Sequence, residues 1–236
     1  MVYGFPSIEP LKTTWESCIL AKKHREKISM GKSYRAKHPL EIVHSDLCGP
    51  IQTPSLSRKI YFLTFIDDFS RKVWVYFLKC KLDVFAIFKE FKEKVEKESG
   101  CSIKTLKTDQ GGEYISNDFL NFCKENGIWK QFIARYTPQQ NGVAERKNRT
   151  IMEMARSMLK EKHLPNEYWA EAVACSTYIQ NRCPTKAVIN KTPEEALSRK
   201  KHNITHLRIF GCVAYSLVPQ AVRQKLDDRG EKCIFV

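Results

Sequence analysis

Several features of other protein classes are missing from this sequence of 236 residues. No run approaches the about 18 consecutive apolar residues of a membrane span, so we expect no transmembrane segment. The first residues lack the basic-then-apolar order of a secretory signal, so we do not expect secretion. Repeats and low-complexity tracts are also absent. Hydrophobic residues make up 42% and aromatic residues 11% of the chain, enough for a folded core. A disordered or fibrous protein is therefore excluded.

Acidic residues are few relative to basic ones. The 26 Asp and Glu residues stand against 40 Lys and Arg residues, which gives a formal net charge of +14. This excess favours a polyanionic partner, nucleic acid foremost, over a merely soluble basic protein. The nine cysteines are an odd number and lack the regular spacing of a disulfide-rich scaffold. We therefore expect a reducing compartment and no disulfide bonds.

Short apolar runs alternate with helix-period patterns, which predicts an α/β protein. The second and third strands are almost wholly apolar, so we expect them to form a hairpin in the middle of a sheet, buried on both faces. In chain order, we predict strands over 40–47, 59–67 and 73–78, a helix over 83–98, a strand over 103–109, a helix over about 116–126, a strand over 128–133, helices over about 143–162 and 165–180, and strands over 209–217 and 232–236.

Three acidic residues occupy positions that suit metal-ion chemistry. Asp46 and Asp109 each close a predicted strand, and Glu145 lies in the first turn of the long helix, with 35 residues between it and Asp109. Mg²⁺ takes several oxygen ligands, and two such ions can stabilise the attacking and leaving oxygens of a phosphoryl displacement. Taken alone, these acids could equally be solvated charges, and Glu145 could simply favour its helix N-terminus.

Four segments around these acids decide between the two interpretations. They read HSDLCGP at 44–50, DDFSR at 67–71, TDQGGEY at 108–114 and YTPQQNGVAERKN at 136–148. In this order they closely resemble the integrase of copia-type LTR retrotransposons, in the retroviral integrase superfamily. The resemblance runs from about residue 3 to the end of the chain.

The resemblance implies an RNase H-like core over 40–205, with a five-stranded mixed sheet flanked by helices. It also implies that Asp46, Asp109 and Glu145 are catalytic ligands of Mg²⁺, for which Mn²⁺ can substitute. The expected activity is strand transfer, in which a DNA 3′-hydroxyl attacks a target phosphodiester, with 3′-end endonuclease activity as an accompaniment. The expected partners are the element's DNA ends, the target duplex and further copies of the chain. The expected location is the nucleus, with a cytoplasmic particle stage, and no membrane is involved.

Further residues are candidates for DNA contact. Arg149 and Arg156 share a side of the long helix with Glu145, along a line that suits DNA phosphates; the alternative is pairing with Glu153 or water. The preceding loop resembles the family's mobile catalytic loop, although it could be an ordinary turn. Its candidates for hydrogen bonds to DNA are Gln139, Gln140 and Asn141.

Two further sets of polar residues are expected to serve the fold. His44 shares a strand face with Asp46, and we interpret it as a packed residue behind the site. Asp67 and Asp68 are expected to shape the hairpin turn between the second and third strands.

The two ends of the chain depart from the core pattern. Relatives in the family carry a His-His-Cys-Cys zinc module before the core, but here Trp15 stands in place of the first cysteine. Cys18 and His24 cannot complete four ligands, so we expect no zinc and interpret 1–39 as a degenerate remnant of that module. Residues 206–236 resemble a small Src-homology-3-like β-barrel and are expected to be a truncated one.

Two alternatives to integration stay open. An RNase H-like nuclease would use water in place of the 3′-hydroxyl, although that fold often carries an extra acid and lacks the PQQNGVAER stretch. A catalytically silent, nucleic-acid-binding remnant of a decayed element is the other alternative. The intact set of three acids favours an active core over such a remnant.

Overall fold

The computed structural model describes residues 34–132 and 142–236, and the elements are named within those ranges. The predicted order of strands and helices is present, with one further helix. The strands are β1 (Ile42–Cys48), β2 (Tyr61–Asp67), β3 (Val73–Leu78), β4 (Thr105–Thr108), β5 (Trp129–Phe132), β6 (Val213–Leu217) and β7 (Gly230–Ile234). The helices are α1 (Val84–Ser99), α2 (Asn117–Glu125), α3 (Gly142–Glu161), α4 (Trp169–Arg182) and α5 (Pro193–Ser198).

The first five strands form one mixed sheet in the order β3-β2-β1-β4-β5. β1 is the central strand, antiparallel to β2 and parallel to β4. The prediction that the β2–β3 hairpin lies in the middle of the sheet is wrong, because β3 is an edge strand. Its apolar character has another cause. Trp74 and Tyr76 pack on one face of the sheet and Val75 and Phe77 on the other, and helices cover both faces.

Two apolar cores lie on opposite faces of this sheet, because alternate residues of each strand point to opposite sides. On β2, Leu63 and Phe65 belong to the core that holds the apolar face of α1, where the ring of Phe65 stacks on Phe91 at 4.1 Å. Phe62 and Ile66 belong to the core against α3 and α4. The sheet is therefore sandwiched between helices, and the central strand is buried from both sides.

Local sequence signals mark the ends of several helices. The Ser116 side chain accepts a hydrogen bond from the Phe119 amide at the start of α2. α1 ends at Gly100, whose φ of +66° suits a residue without a side chain. α5 was not predicted from the sequence, yet Thr192 and Glu195 form a capping box around Pro193. Its six residues are too few for a helical period to stand out.

The last two strands, β6 and β7, form a separate antiparallel pair. The barrel expected over 206–236, like the other domain divisions, stays a prediction. Most of residues 1–39, including Trp15, Cys18 and His24, lies outside the described residues. Within the described ranges no helix is both long and apolar enough to cross a membrane. The eight cysteines in those ranges are free thiols.

Candidate active site

The two aspartates singled out from the sequence lie on neighbouring parallel strands. Asp46 is in β1, and Asp109 directly follows β4. The pairing of Ile42 with Thr105 and of His44 with Lys107 fixes the register. Continued by two residues, this register sets Asp46 level with Asp109. Parallel pairing thus brings two carboxylates to one place on the sheet from positions far apart in the sequence.

Asn148, which the sequence analysis did not single out, links α3 to Asp46. Its Nδ2 donates to Asp46 Oδ2 at 2.8 Å, and its Oδ1 accepts from Thr64 Oγ1 at 2.9 Å. Asn148 is 5% exposed and Thr64 is fully buried. The amide therefore fixes the orientation of the Asp46 carboxylate against the middle of the sheet. The signal for it is helical spacing, because Asn148 falls in line with Ala144 and Ile151, both buried.

A buried tyrosine lies on the other side of the central strand. The hydroxyls of Tyr114 and Ser45 are 2.8 Å apart. Burial raises the pKa of Tyr114 well above its ordinary value, and the negative charges of Asp46 and Asp109 raise it further. The phenol is therefore neutral at physiological pH.

The third predicted acid, Glu145, is an exposed residue in the first turn of α3, one turn before Asn148. Within 34–132 and 142–236, no three Asp, Glu, His or Cys side chains are grouped closely enough to hold a metal ion. The structure thus places Asp46 and Asp109 side by side but does not gather all three acids into a metal-holding group.

The donor chemistry of this place nevertheless fits a hard cation. Asp46 and Asp109 offer carboxylate oxygens, the ligand type that Mg²⁺ prefers. Asp109 Oδ1 accepts from the Gly111 amide at 3.2 Å, and Asp46 is held by Asn148. Both carboxylates are therefore oriented by neighbours, as ligands of a metal commonly are.

The predicted DNA-contacting residues divide into a described and an undescribed group. Arg149 and Arg156 are exposed on α3. No ion pair joins either arginine to Glu153 or to any other carboxylate of the described ranges. Gln139, Gln140 and Asn141 lie outside the described residues. The arginine line is thus open to solvent along the side of the helix that carries Glu145.

His44 and Asp68 form a buried cluster behind the candidate site. Asp68 Oδ1 accepts from His44 Nε2 at 2.9 Å and from Arg71 Nη1 at 3.1 Å, and Asp68 Oδ2 accepts from the Ala36 amide at 2.8 Å. Burial opposes the charge on Asp68, but the bonds from His44 and Ala36 and the charge of Arg71 outweigh it and lower its pKa to about 2. Burial also lowers the pKa of His44, which favours the neutral imidazole.

Asp67 organises the hairpin turn itself. One of its oxygens accepts from the Leu40 amide at 2.9 Å, and the other accepts from the Ser70 amide at 2.8 Å. The Asp67 carbonyl accepts from the Arg71 amide at 2.8 Å. Asp67 and Asp68 thus bind the turn to the start of β1, in the structural role that the sequence suggested.

Comparison with known sequences gives a family match. A family model described as Integrase core domain matches residues 36–138. The Retrovirus-related Pol polyprotein from transposon TNT 1-94 of Nicotiana tabacum is 44% identical over 219 residues, which cover 93% of this chain and 16% of that polyprotein. The corresponding polyprotein from transposon RE2 of Arabidopsis thaliana is 34% identical over 220 residues, which cover 93% of this chain and 15% of that one. The chain therefore spans a small part of the relatives that it matches.

Solved structures give the same picture of the fold. A chain of the simian T-cell lymphotropic virus intasome in complex with PP2A regulatory subunit B56 gamma superposes with a TM-score of 0.58 at 16% identity, covering 91% of this chain and 74% of that chain. The HTLV-2 integrase catalytic core domain in complex with magnesium superposes with a TM-score of 0.51 at 18% identity, covering 69% of this chain and 99% of that chain. Such identities show the fold alone. The RNase H-like α/β fold predicted from the sequence is confirmed.

Proposed function

We infer that this chain, which belongs to the integrase family of copia-type retrotransposon Pol polyproteins, carries out DNA strand transfer. In this reaction a 3′-hydroxyl of the element's DNA attacks a phosphodiester of a target duplex. The observation that carries the proposal is the level placement of Asp46 and Asp109 on two parallel strands, with Asn148 joining Asp46 to α3.

The residues divide the work in the following way. Asp46, Asp109 and Glu145 would hold Mg²⁺, for which Mn²⁺ can substitute. Bound Mg²⁺ supplies charge stabilisation for phosphoryl displacement and makes a hydroxyl a better nucleophile. Asn148 orients the Asp46 carboxylate, and Arg149 and Arg156 bind phosphates next to Glu145. Glu145 lies on an exposed turn of α3, one turn before Asn148, which donates to Asp46.

Further parts of the proposal draw on the relatives. The HTLV-2 core domain, of similar fold, was solved with magnesium and in a dimeric form, which supports a divalent cation and self-association here. We propose that multimers form on DNA, because two DNA ends must be held together. We also propose 3′-end endonuclease activity, which uses the same acids with water as nucleophile, and action in the nucleus after a cytoplasmic particle stage.

A strand-transfer assay with a labelled DNA end, a plasmid target and Mg²⁺ tests this function. Product in which the label is joined to the plasmid supports integration. Cleavage without joining would instead indicate a nuclease. Binding without either product would indicate a silent remnant.

Replacing Arg149 and Arg156 together with Ala is expected to flatten the salt dependence of DNA binding. Each phosphate contact contributes about one unit to the slope of log affinity against log salt, so the slope should fall by about two units. Fluorescence anisotropy with a labelled duplex at several salt concentrations measures this. The control removes two exposed lysines from α1, on the opposite side of the sheet (Lys94→Ala with Lys97→Ala), and should keep the slope. An unchanged slope in the arginine variant would mean that these side chains do not touch DNA.

Replacing Asn148 with Ala is expected to slow strand transfer by about 10–100-fold, the usual loss when a residue that orients a metal ligand is removed. It should also lower the free energy of unfolding by about 1 kcal/mol, because the Thr64 hydroxyl loses its amide acceptor and keeps only the longer bond to the Asp46 carbonyl at 3.3 Å. Single-turnover joining kinetics and urea denaturation measure the two effects. Ser157→Ala is the matched control, since the Ser157 hydroxyl donates only within α3, to the Glu153 carbonyl. Equal joining rates in the two variants would contradict the positioning role of Asn148.

A further inference from the structure

A basic pocket lies on a second side of α3, away from the candidate active site. Its volume is about 360 Å³, and three cations line it: Arg71 from the β2–β3 turn, and Arg146 and Lys147 from the first turns of α3. Thr150 and Thr185 add two hydroxyl groups, and none of the described lining residues is acidic. At about 100° per residue, this side lies about 130° around the helix from the line of Glu145, Arg149 and Arg156.

Neighbouring carboxylates and hydrogen-bond acceptors satisfy the cations of this pocket only in part. Arg71 Nη1 pairs with Asp68, but Arg71 Nε is buried and has no hydrogen-bond partner among the described residues. Lys147 Nζ donates to Gln180 Oε1 at 3.1 Å, which is a neutral acceptor. The Arg146 guanidinium lies over Gly142, where a Cβ atom would stand 2.8 Å from Nη1. The absence of a side chain at Gly142 thus lets Arg146 fold back over the start of the helix.

These positive charges destabilise one another. Burial lowers the pKa of Arg71, and the charges of Arg35 and Arg146 lower it further, although Asp68 and Asp67 oppose them. Burial likewise lowers the pKa of Lys147, and the charge of Arg71 adds to this effect. The start of α3 also carries the positive end of the helix dipole, which disfavours cations there. An anion in the pocket would relieve all of these unfavourable interactions.

We propose that this pocket binds a phosphate group, supplied by a phosphodiester of DNA or by a soluble phosphate. Guanidinium groups and a lysine suit the several oxygens of a phosphate, and hydroxyl groups donate to the same ligand. With DNA as the source, the inference rests on the proposed function and extends it. α3 would then hold phosphates on two sides, by Arg149 and Arg156 near the acids and by Arg146 and Lys147 at the pocket.

A pocket for a single phosphate makes a non-additive prediction for DNA binding. Arg146→Gln and Lys147→Gln should each reduce the slope of log affinity against log salt by about one unit, and the double variant should also lose only about one. Lys94→Gln with Lys97→Gln on α1 is the matched control and should leave the slope unchanged. Arg71 is not replaced, because it also pairs with the buried Asp68. A loss of about two units in the double variant would indicate two separate contacts and overturn the single pocket.

Inorganic pyrophosphate tests whether the pocket binds phosphate at all, and the DNA slope then distinguishes the two sources. Pyrophosphate should raise the melting temperature of the wild-type chain and not that of the double variant, whichever ligand the pocket normally holds. A changed DNA slope assigns the pocket to DNA, and an unchanged slope together with stabilisation by pyrophosphate assigns it to a soluble phosphate. An unchanged slope and no stabilisation would overturn the proposal. Neither measurement requires chemistry, so a chain that binds DNA but fails to join it would contradict strand transfer and leave the pocket standing.

Discussion

Replacing Asp46 or Asp109 with Asn is expected to reduce strand transfer by at least about a thousandfold, since a metal ion contributes several kcal/mol to phosphoryl transfer and each 1.36 kcal/mol is tenfold. Asn keeps the shape of Asp but removes the charge that holds a divalent cation. The basic surface is untouched, so DNA affinity should stay within about twofold. Joining assays and anisotropy measure the two properties in the same preparation.

The matched control for these variants is Glu113→Gln. Glu113 is a carboxylate whose charge also acts on Tyr114, but it lies in a 3₁₀ turn over Gly112–Tyr114 and takes no part in the proposed reaction. It should join DNA at a rate within a few-fold of wild type. Strand transfer that survives in both aspartate variants would remove these residues from the active site, and loss of DNA binding in either would indicate misfolding in place of lost chemistry.

Replacing Asp68 with Asn is expected to lower the free energy of unfolding by about 3 kcal/mol at pH 7, because breaking a buried ion pair leaves the other charge uncompensated. Asp68 is 3% exposed and holds Arg71, His44 and the Ala36 amide together. Urea denaturation measures the loss. Glu93→Gln on the exposed side of α1 is the control, with an expected change within about 0.5 kcal/mol.

The same variant has a predicted pH dependence. The pKa of Asp68 is lowered to about 2 in the fold from an ordinary value of 3.8. A lowered carboxyl pKa stabilises the fold above the ordinary value, and this stabilisation is lost as the pH falls through the folded value. The difference in the free energy of unfolding between wild type and Asp68→Asn should therefore become smaller as the pH falls from about 4 to about 2. A difference that is constant over this interval would show that the ionised form of Asp68 contributes no stability.

Much of the fold follows from local patterns in the sequence. The apolar strands and the helix-period segments are readable because each depends on neighbouring residues alone. Asp109 does follow its strand, but Asp46 lies inside β1 and not at its end. The position of the hairpin within the sheet cannot be read in this way. A strand that is apolar on both faces can be an edge strand covered by helices just as well as a central strand. β3 illustrates this, since helices bury both of its faces while no strand within 34–132 and 142–236 pairs with its outer edge.

The geometry of the candidate active site is harder still to read from the sequence, because it depends on residues far apart in the chain. Asp46 and Asp109 were identified by their positions and by family resemblance, but their level placement depends on the β1–β4 register. The contact between Asn148 and Asp46 joins residues 102 positions apart and depends on how α3 packs on the sheet. The basic pocket likewise requires a turn, a helix and a loop to meet. Sequence patterns report which residues are available, whereas packing decides which of them meet.

The most direct test of strand transfer compares two DNA ends that differ by one oxygen atom. A labelled duplex ending in a 3′-hydroxyl and the same duplex ending in a 3′-deoxy nucleotide are each incubated with the chain, a plasmid and Mg²⁺. If the 3′-hydroxyl is the nucleophile, the first duplex becomes joined to the plasmid and the second does not, while both bind equally well. Plasmid cleavage that is the same with either duplex, without joined product, would show that water is the nucleophile and would contradict the assignment of this chain as a strand-transfer enzyme.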